Sequence, residues 1–192
     1  MIYLFKRKLL TAVLTVTLAA GLTCTALAAK NDKLYDLTVQ QKATYLTELE
    51  RYVNIDSGST YEHGIKEYQG ILMQRLKDLG AEVSYTEVNK PQAGYNIKAT
   101  FTGTGKGSVL MLIHADTVFA AGTAAQRPFK IEGQYAYGPG VSDCKGGMTL
   151  ALNAMELLNK IGYKEYGKVT ILINPDEERS SLESRDFIKQ VA

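Results

Sequence analysis

Three separated fragments of this chain carry side chains with hard donor atoms. They are Ile113-His114-Ala115-Asp116-Thr117-Val118, the glycine-rich Gly138-Pro139-Gly140-Val141-Ser142-Asp143-Cys144-Lys145-Gly146-Gly147, and Asn174-Pro175-Asp176-Glu177-Glu178. The first and third directly follow apolar runs that read as buried strands. Imidazole and carboxylate groups gathered where strands end suit cation binding and proton transfer.

Each fragment also has a plainer reading. If the backbone stays extended, His114 and Asp116 share a face. Asp116 can then accept a hydrogen bond from the ring nitrogen left over when the other binds a metal. Alone, the pair reads more simply as a satisfied strand-end histidine beside a turn aspartate. Asp143, between a glycine-rich loop and a helix start, is either a helix N-cap or a carboxylate able to bridge two cations. Lys145 can orient it, although a lysine there is more commonly a solvated surface residue. Glu177 and Glu178 point to opposite sides of an extended segment, so one can bind a cation while the other faces a water. The run Asp176 to Glu178 repels itself unless a cation is present, yet it also fits an acidic turn before a helix.

Other candidates carry less. Gly103-Thr104-Gly105-Lys106-Gly107 lacks the spacing and final Ser/Thr of a phosphate loop and is expected to be a hairpin turn. His63 reads as a surface residue early in an amphipathic helix. Cys144 with His114 as base would make a thiol nucleophile, with no orienting group beyond Asp116.

The elements that must position these residues follow from periodicity. Residues 30 to 36 read as a polar lead-in. Val39, Ala43, Leu46, Leu49 and Val53 then recur at helical spacing, with Thr38 as N-cap. Ile65, Tyr68, Leu72, Leu76 and Leu79 line a second helix that Gly80 closes. Val83 and Tyr85, then Ile97, Ala99 and Phe101, alternate as half-buried strands do. Val109 to Ile113 is continuously apolar, as in a central strand covered on both faces. Phe129 to Tyr137 reads as a hairpin turning at Gly133-Gln134. Met148, Ala151, Leu152, Met155 and Leu158 make a helix, Val169 to Ile173 a buried strand, and Ser181 to Val191 the start of another helix. The expected fold is α/β, a three-layer α/β/α sandwich on a mixed, mostly parallel sheet, incomplete at the C-terminus.

The start of the chain reads differently. Lys6, Arg7 and Lys8 precede an apolar run from Leu9 to Leu22, and Ala26-Leu27-Ala28 supplies a small-x-small signal. Residues 1–28 are therefore expected to be a secretory signal peptide cleaved after Ala28, giving a secreted or periplasmic protein without stable membrane insertion. Of 22 Lys+Arg, three lie in this leader, which leaves 19 against 20 Asp+Glu. The basic balance thus belongs to the leader and gives no reason to expect a nucleic-acid partner. Cleavage would also remove Cys24, leaving Cys144 as the one thiol of the mature chain and no intramolecular disulfide.

Taken in order, the three fragments resemble the dizinc aminoacylase and carboxypeptidase family of exopeptidases, and most closely its glutamate carboxypeptidase branch. The resemblance runs from about Thr38 to the end, and Asn54-Ile55-Asp56-Ser57-Gly58 also matches a recurrent family segment. It implies that His114 binds one zinc and Glu178 the other, with Asp143 bridging them. It further implies that Asp116 orients His114 and that Glu177 is the general base. The implied reaction releases a C-terminal amino acid, glutamate or a similar residue, from a small peptide or an N-acyl amino acid. Leu182-Glu183 depart from the smaller residues usual after the acidic pair. Further zinc ligands and an inserted lid domain with dimer contacts are also implied, and neither lies within the 192 residues. Residues 29–192 are therefore expected to be the N-terminal part of a catalytic domain, weak in zinc binding, inactive alone, and dimeric only with the lid. It would also expose sheet and core surface that the rest of the domain should cover. The competing expectations are a non-catalytic product that at most binds a metal or a partner, and the Cys144/His114 thiol hydrolase.

Overall fold

The computed structural model describes residues 31–89 and 92–192. The expected signal peptide lies outside the described residues. Met1–Asp36 and Leu37–Ala192 form two compact units, and only residues 31–36 of the first are described.

Helix α1 spans Asp32–Val53 and α2 spans Glu62–Asp78. The expected polar lead-in before Thr38 is already helical. Asn31 begins the helix instead, its side-chain oxygen accepting the amide of Leu34 at 3.0 Å, the standard N-cap contact. The predicted apolar stripe of α1 holds only at its end. Leu49 and Val53 are buried, as is Tyr52, but Val39 is exposed. In α2 the predicted stripe from Ile65 to Leu76 is buried, and the helix stops before Gly80.

Strands β1 (Glu82–Glu87), β2 (Tyr95–Thr102), β3 (Lys106–His114) and β6 (Tyr166–Asn174) form one sheet in the order β1-β2-β6-β3. Between β3 and β6 run the short helix α3 (Thr123–Gln126), the hairpin β4 (Lys130–Glu132) and β5 (Tyr135–Tyr137), and helix α4 (Gly146–Lys160). Helix α5 (Arg185–Val191) closes the chain. The hairpin is as predicted, with Gly133-Gln134 at its turn. The sheet is mixed, as expected, but within it only β3 and β6 run parallel, and the other two pairings are antiparallel.

Two expectations change because β6 inserts between β2 and β3. The Gly103–Gly107 segment is not a hairpin turn, since the strands it joins do not pair. It crosses the start of β6, where the amide of Gly103 donates to Gly167 O at 3.0 Å and that of Gly105 to Tyr166 O at 3.0 Å. A Cβ on Gly103 would sit 1.9 Å from the Tyr166 carbonyl oxygen, so the close crossing excludes any side chain there. For the same reason β3 is an edge strand rather than a central one. Val109, Leu110 and Leu112 are exposed, whereas Met111 and Ile113 pack against the core.

One core cluster joins Tyr52, Tyr68, Leu72 and Leu76 of the first two helices to Ile97, Ala99 and Phe101 of β2. Met148, Leu152 and Met155 of α4 and Ile171 and Ile173 of β6 complete it. Each of the Leu, Ile, Phe and Met side chains among them contributes about 1.5–3 kcal/mol on burial. This places α1, α2 and α4 on one face of the sheet. Among the described residues no helix is long and apolar enough to cross a membrane.

Candidate metal centre

The register of the parallel β3–β6 pair brings the first and third fragments together. His114 stands opposite Asn174 at the carboxyl ends of β3 and β6, and Ala115 N donates to Asn174 O at 2.9 Å. The kinked turn Val141–Lys145, which precedes α4, returns Asp143 to the same end. Strand carboxyl ends of this kind are where α/β sheets hold ligands.

His114 is buried and lies between two carboxylates. Its Nε2 is 2.9 Å from Asp143 Oδ1, and its Nδ1 is 3.2 Å from Asp116 Oδ1 and 3.1 Å from the Asp116 carbonyl oxygen. Burial alone would lower the pKa of this imidazole. Asp116, Cys144 and Asp143 around it outweigh that and push it up to about 11. A ring held in so negative a setting attracts a cation, whether a proton or a metal ion. The donor atoms of His114, Glu177 and Glu178 all lie within 4.8 Å of one another, and so do those of His114, Asp143 and Cys144. Imidazole and carboxylate donors at this spacing fit a divalent metal such as zinc. Burial raises the pKa of the Glu178 carboxyl, and Asp143 adds to the shift.

The structure therefore assembles all five predicted site residues, His114, Asp116, Asp143, Glu177 and Glu178, at one end of the sheet. Asp143 is not an N-cap: its side chain is 73% exposed and turned to His114, and no side-chain cap bond is made at the start of α4. Asp176 does not share the acidic patch. It is fully buried and its carboxylate accepts from Asn174 Nδ2, Glu183 N and Ser184 Oγ, which fixes the loop after β6.

Three features escaped the sequence reading. Lys145 is not a surface residue; it is buried beneath the turn. Asp56, in the segment singled out before α2, accepts the amides of Gly122 and Ala124 at 2.6 and 2.9 Å and so anchors α3. Asp116 does more than orient His114, because its two oxygens also accept the backbone amides of Glu177 and Glu178 at 3.0 and 3.1 Å. Those contacts depend on the meeting of β3 with β6, which local sequence does not encode.

A cleft of about 340 Å³ lined by Ser59, Thr117, Phe119, Glu178 and Arg179 opens beside the site. A larger cleft of about 450 Å³ between α1 and α2 lies elsewhere, and its Arg75 and Glu48 are paired with each other at 2.9 Å.

Comparison with known proteins agrees with this geometry. Residues 110–192 match the profile of peptidase family M20/M25/M40. The chain is 37% identical over 187 residues to carboxypeptidase G2 of Pseudomonas sp. (strain RS-16), covering 97% of this chain and 44% of that protein. It is 32% identical over 133 residues to acetylornithine deacetylase of Aliivibrio fischeri (strain MJ11), covering 67% of this chain and 34% of that one. The chain thus spans less than half the length of these relatives. In fold it resembles human carnosine dipeptidase 1, with a TM-score of 0.72 at 17% identity over 83% of this chain and 37% of that one. An M20 family metallo-carboxypeptidase from Sulfolobus solfataricus follows at a TM-score of 0.65 and 22% identity, over 76% of this chain and 34% of that one. Residues 110–192 thus resemble peptidase family M20/M25/M40, nearly the whole chain is similar in sequence to carboxypeptidase G2, and its fold is that of the solved structures just named.

Proposed function

We propose that this chain carries the metal-binding part of a zinc-dependent carboxypeptidase or amidohydrolase. The proposed reaction releases a C-terminal amino acid, glutamate or a similar residue, from small peptides or N-acyl amino acids. The observation that carries the reading is the meeting of the His114, Glu177 and Glu178 donor atoms within 4.8 Å at the strand ends. The 37% identity to carboxypeptidase G2 supports the substrate class.

In this reading His114, Asp143 and Glu178 would hold the zinc ions. Bound zinc would supply Lewis acidity, polarising the scissile carbonyl and acidifying the attacking water. The chain's own groups do the rest. Asp116 keeps the Nδ1 proton of His114 engaged, so that Nε2 presents its lone pair outward. Glu177, more exposed than Glu178, takes the proton of the attacking water and delivers it to the departing amine. The carbon–oxygen bond forms, the carbon–nitrogen bond breaks, and the amine leaves carrying that proton. Export through the residue 1–28 leader belongs to the same proposal.

The test is release of glutamate from N-acyl-glutamate by the zinc-loaded protein carrying the complete catalytic domain, by the same protein after chelation and by its Glu177→Ala variant. Loss of turnover on chelation and in the variant, with zinc still bound by the variant, is the expected result. Turnover that resists chelators but is abolished by a thiol reagent would replace this reading with the Cys144 hydrolase. Zinc binding without turnover would favour the non-catalytic metal-binding reading.

A further inference from the structure

The Asp116 carboxylate is fully buried, and four donors surround it. His114 Nδ1 and the amide of Glu177 meet Oδ1 at 3.2 and 3.0 Å; the amide of Glu178 meets Oδ2 at 3.1 Å. The fourth donor is the hydroxyl of Ser59, which meets Oδ2 at 2.7 Å, the shortest of the set. A carboxylate offers about four lone-pair sites, so this one is filled. Ser59 is itself buried, at 7% exposure, and comes from the loop between α1 and α2, 57 residues from Asp116.

The loop is fixed where it presents that hydroxyl. Thr117 N donates to Ser57 O at 2.9 Å, Gly58 forms a parallel bridge with Thr117, and Ala93 N donates to Ser59 O at 3.2 Å. A Cβ on Gly58 would stand 2.5 Å from the Phe119 carbonyl oxygen, so a glycine is needed for the loop to run this close.

We infer that Ser59 is a positioning residue for the metal centre. Its hydroxyl fixes the Asp116 carboxylate, and through that carboxylate it fixes the His114 ring and the backbone of both Glu177 and Glu178. One hydroxyl thereby sets the spacing between donors held at the ends of two different strands. Groups that orient metal ligands change affinity by about 10–100-fold when removed. Without the Ser59 hydroxyl, Oδ2 keeps only the Glu178 amide, and the buried carboxylate can turn from the pose that holds both acids. The inference rests on the metal reading above.

The experiment compares the chain with Ser59→Ala and Ser59→Thr. Zinc affinity is measured by competition with a chromophoric chelator. Amide hydrogen exchange at Glu177 and Glu178 is followed before zinc is added, and thermal melting of the same samples controls for folding. Ser59→Ala is expected to bind zinc about tenfold or more weakly, with faster exchange at both amides and a melting temperature lowered by several degrees while the chain stays folded. Ser59→Thr, which keeps the hydroxyl, is expected to restore both. Unchanged affinity and unchanged exchange in Ser59→Ala would overturn the inference, as would equal losses in the two variants. If the parent chain binds no zinc, the metal reading fails on its own. The exchange rates then still decide the role of Ser59, since faster exchange in Ser59→Ala with rescue by Ser59→Thr upholds it and unchanged exchange refutes it.

Discussion

The ammonium of Lys145 stands 5.0 Å from the centre of the Tyr68 ring, and neither side chain reaches solvent. Lys145 Nζ also donates to the carbonyl oxygens of Tyr52 and Ile55, at 2.9 and 2.5 Å, at and just beyond the end of α1. Burial pushes its pKa down to about 8 against the opposing field of Asp56. The lysine thus ties the turn that bears Asp143 to the end of α1. Lys145→Met takes from the Ile55 carbonyl the lysine that caps it, leaves Tyr52 O with the Ile55 amide alone, and removes the charge above the ring. It should cost about 2–4 kcal/mol in urea denaturation. A loss under about 0.5 kcal/mol is what a surface lysine would show, and it would contradict this arrangement.

The crowding of Asp143, Glu177 and Glu178 around one imidazole has a cost in stability. Burial raises the Glu178 carboxyl's pKa, with Asp143 pushing the same way, His114 opposing, and Asp116 and Glu177 adding to the rise. Without added metal, Glu178→Gln relieves that repulsion and should stabilise the chain by about 0.5–1 kcal/mol, a rise of about 1–4 °C in melting temperature. Zinc at about a hundred times its dissociation constant should stabilise the parent by roughly 2.7 kcal/mol and the variant by less. Calorimetry with and without zinc checks the pair of results. A variant less stable than the parent in both states would contradict the site's role.

Far from the site, Glu156 joins α4 to α2. Lys160 Nζ lies 2.6 Å from one of its oxygens and Arg75 bonds the other. Burial would raise the Glu156 pKa, but the bonds from Lys160 and Arg75 outweigh it and hold the carboxyl below the ordinary glutamate range. A carboxyl with a depressed folded pKa adds stability above its unfolded pKa and loses it as pH falls through the folded value. Allowing for solvent screening, Glu156→Gln should cost about 0.5–1 kcal/mol at neutral pH. The cost should fade in acid once the parent's Glu156 is protonated in the folded state. Denaturation across pH checks this, and a pH-independent difference would contradict the ion-pair origin.

What could be read in the sequence was local. The alternation of Ile97, Ala99 and Phe101, the α2 stripe and the donor-bearing fragments at strand ends all depend on neighbours within a few residues, and the structure keeps them. What could not be read required partners distant in the chain. Nothing near Asp116 signals that Ser59 and the Glu177 and Glu178 amides will converge on it. Lys145 reads as a surface residue because its carbonyl partners lie some ninety residues away, at and just beyond the end of α1. The Gly103–Gly107 turn and β3 were misplaced together, since only the later strand β6, settling between β2 and β3, makes one a crossing and the other an edge.

That edge gives the sharpest contrast. Leu112 and Leu172 are register partners on β3 and β6, yet Leu112 is 52% exposed and Leu172 fully buried. Identical residues side by side on one sheet should therefore answer the same substitution differently. Leu172→Lys places an ammonium where no partner waits and should cost more than about 4 kcal/mol or prevent folding. Leu112→Lys removes exposed apolar surface from a free edge, so its stability should stay within about 0.5 kcal/mol of the parent. The same change should raise the concentration at which the chain remains monomeric, because charged side chains block edge-to-edge pairing. Urea denaturation reads the first quantity and light scattering the second. Comparable destabilisation by the two variants would mean that the β3 face is covered after all.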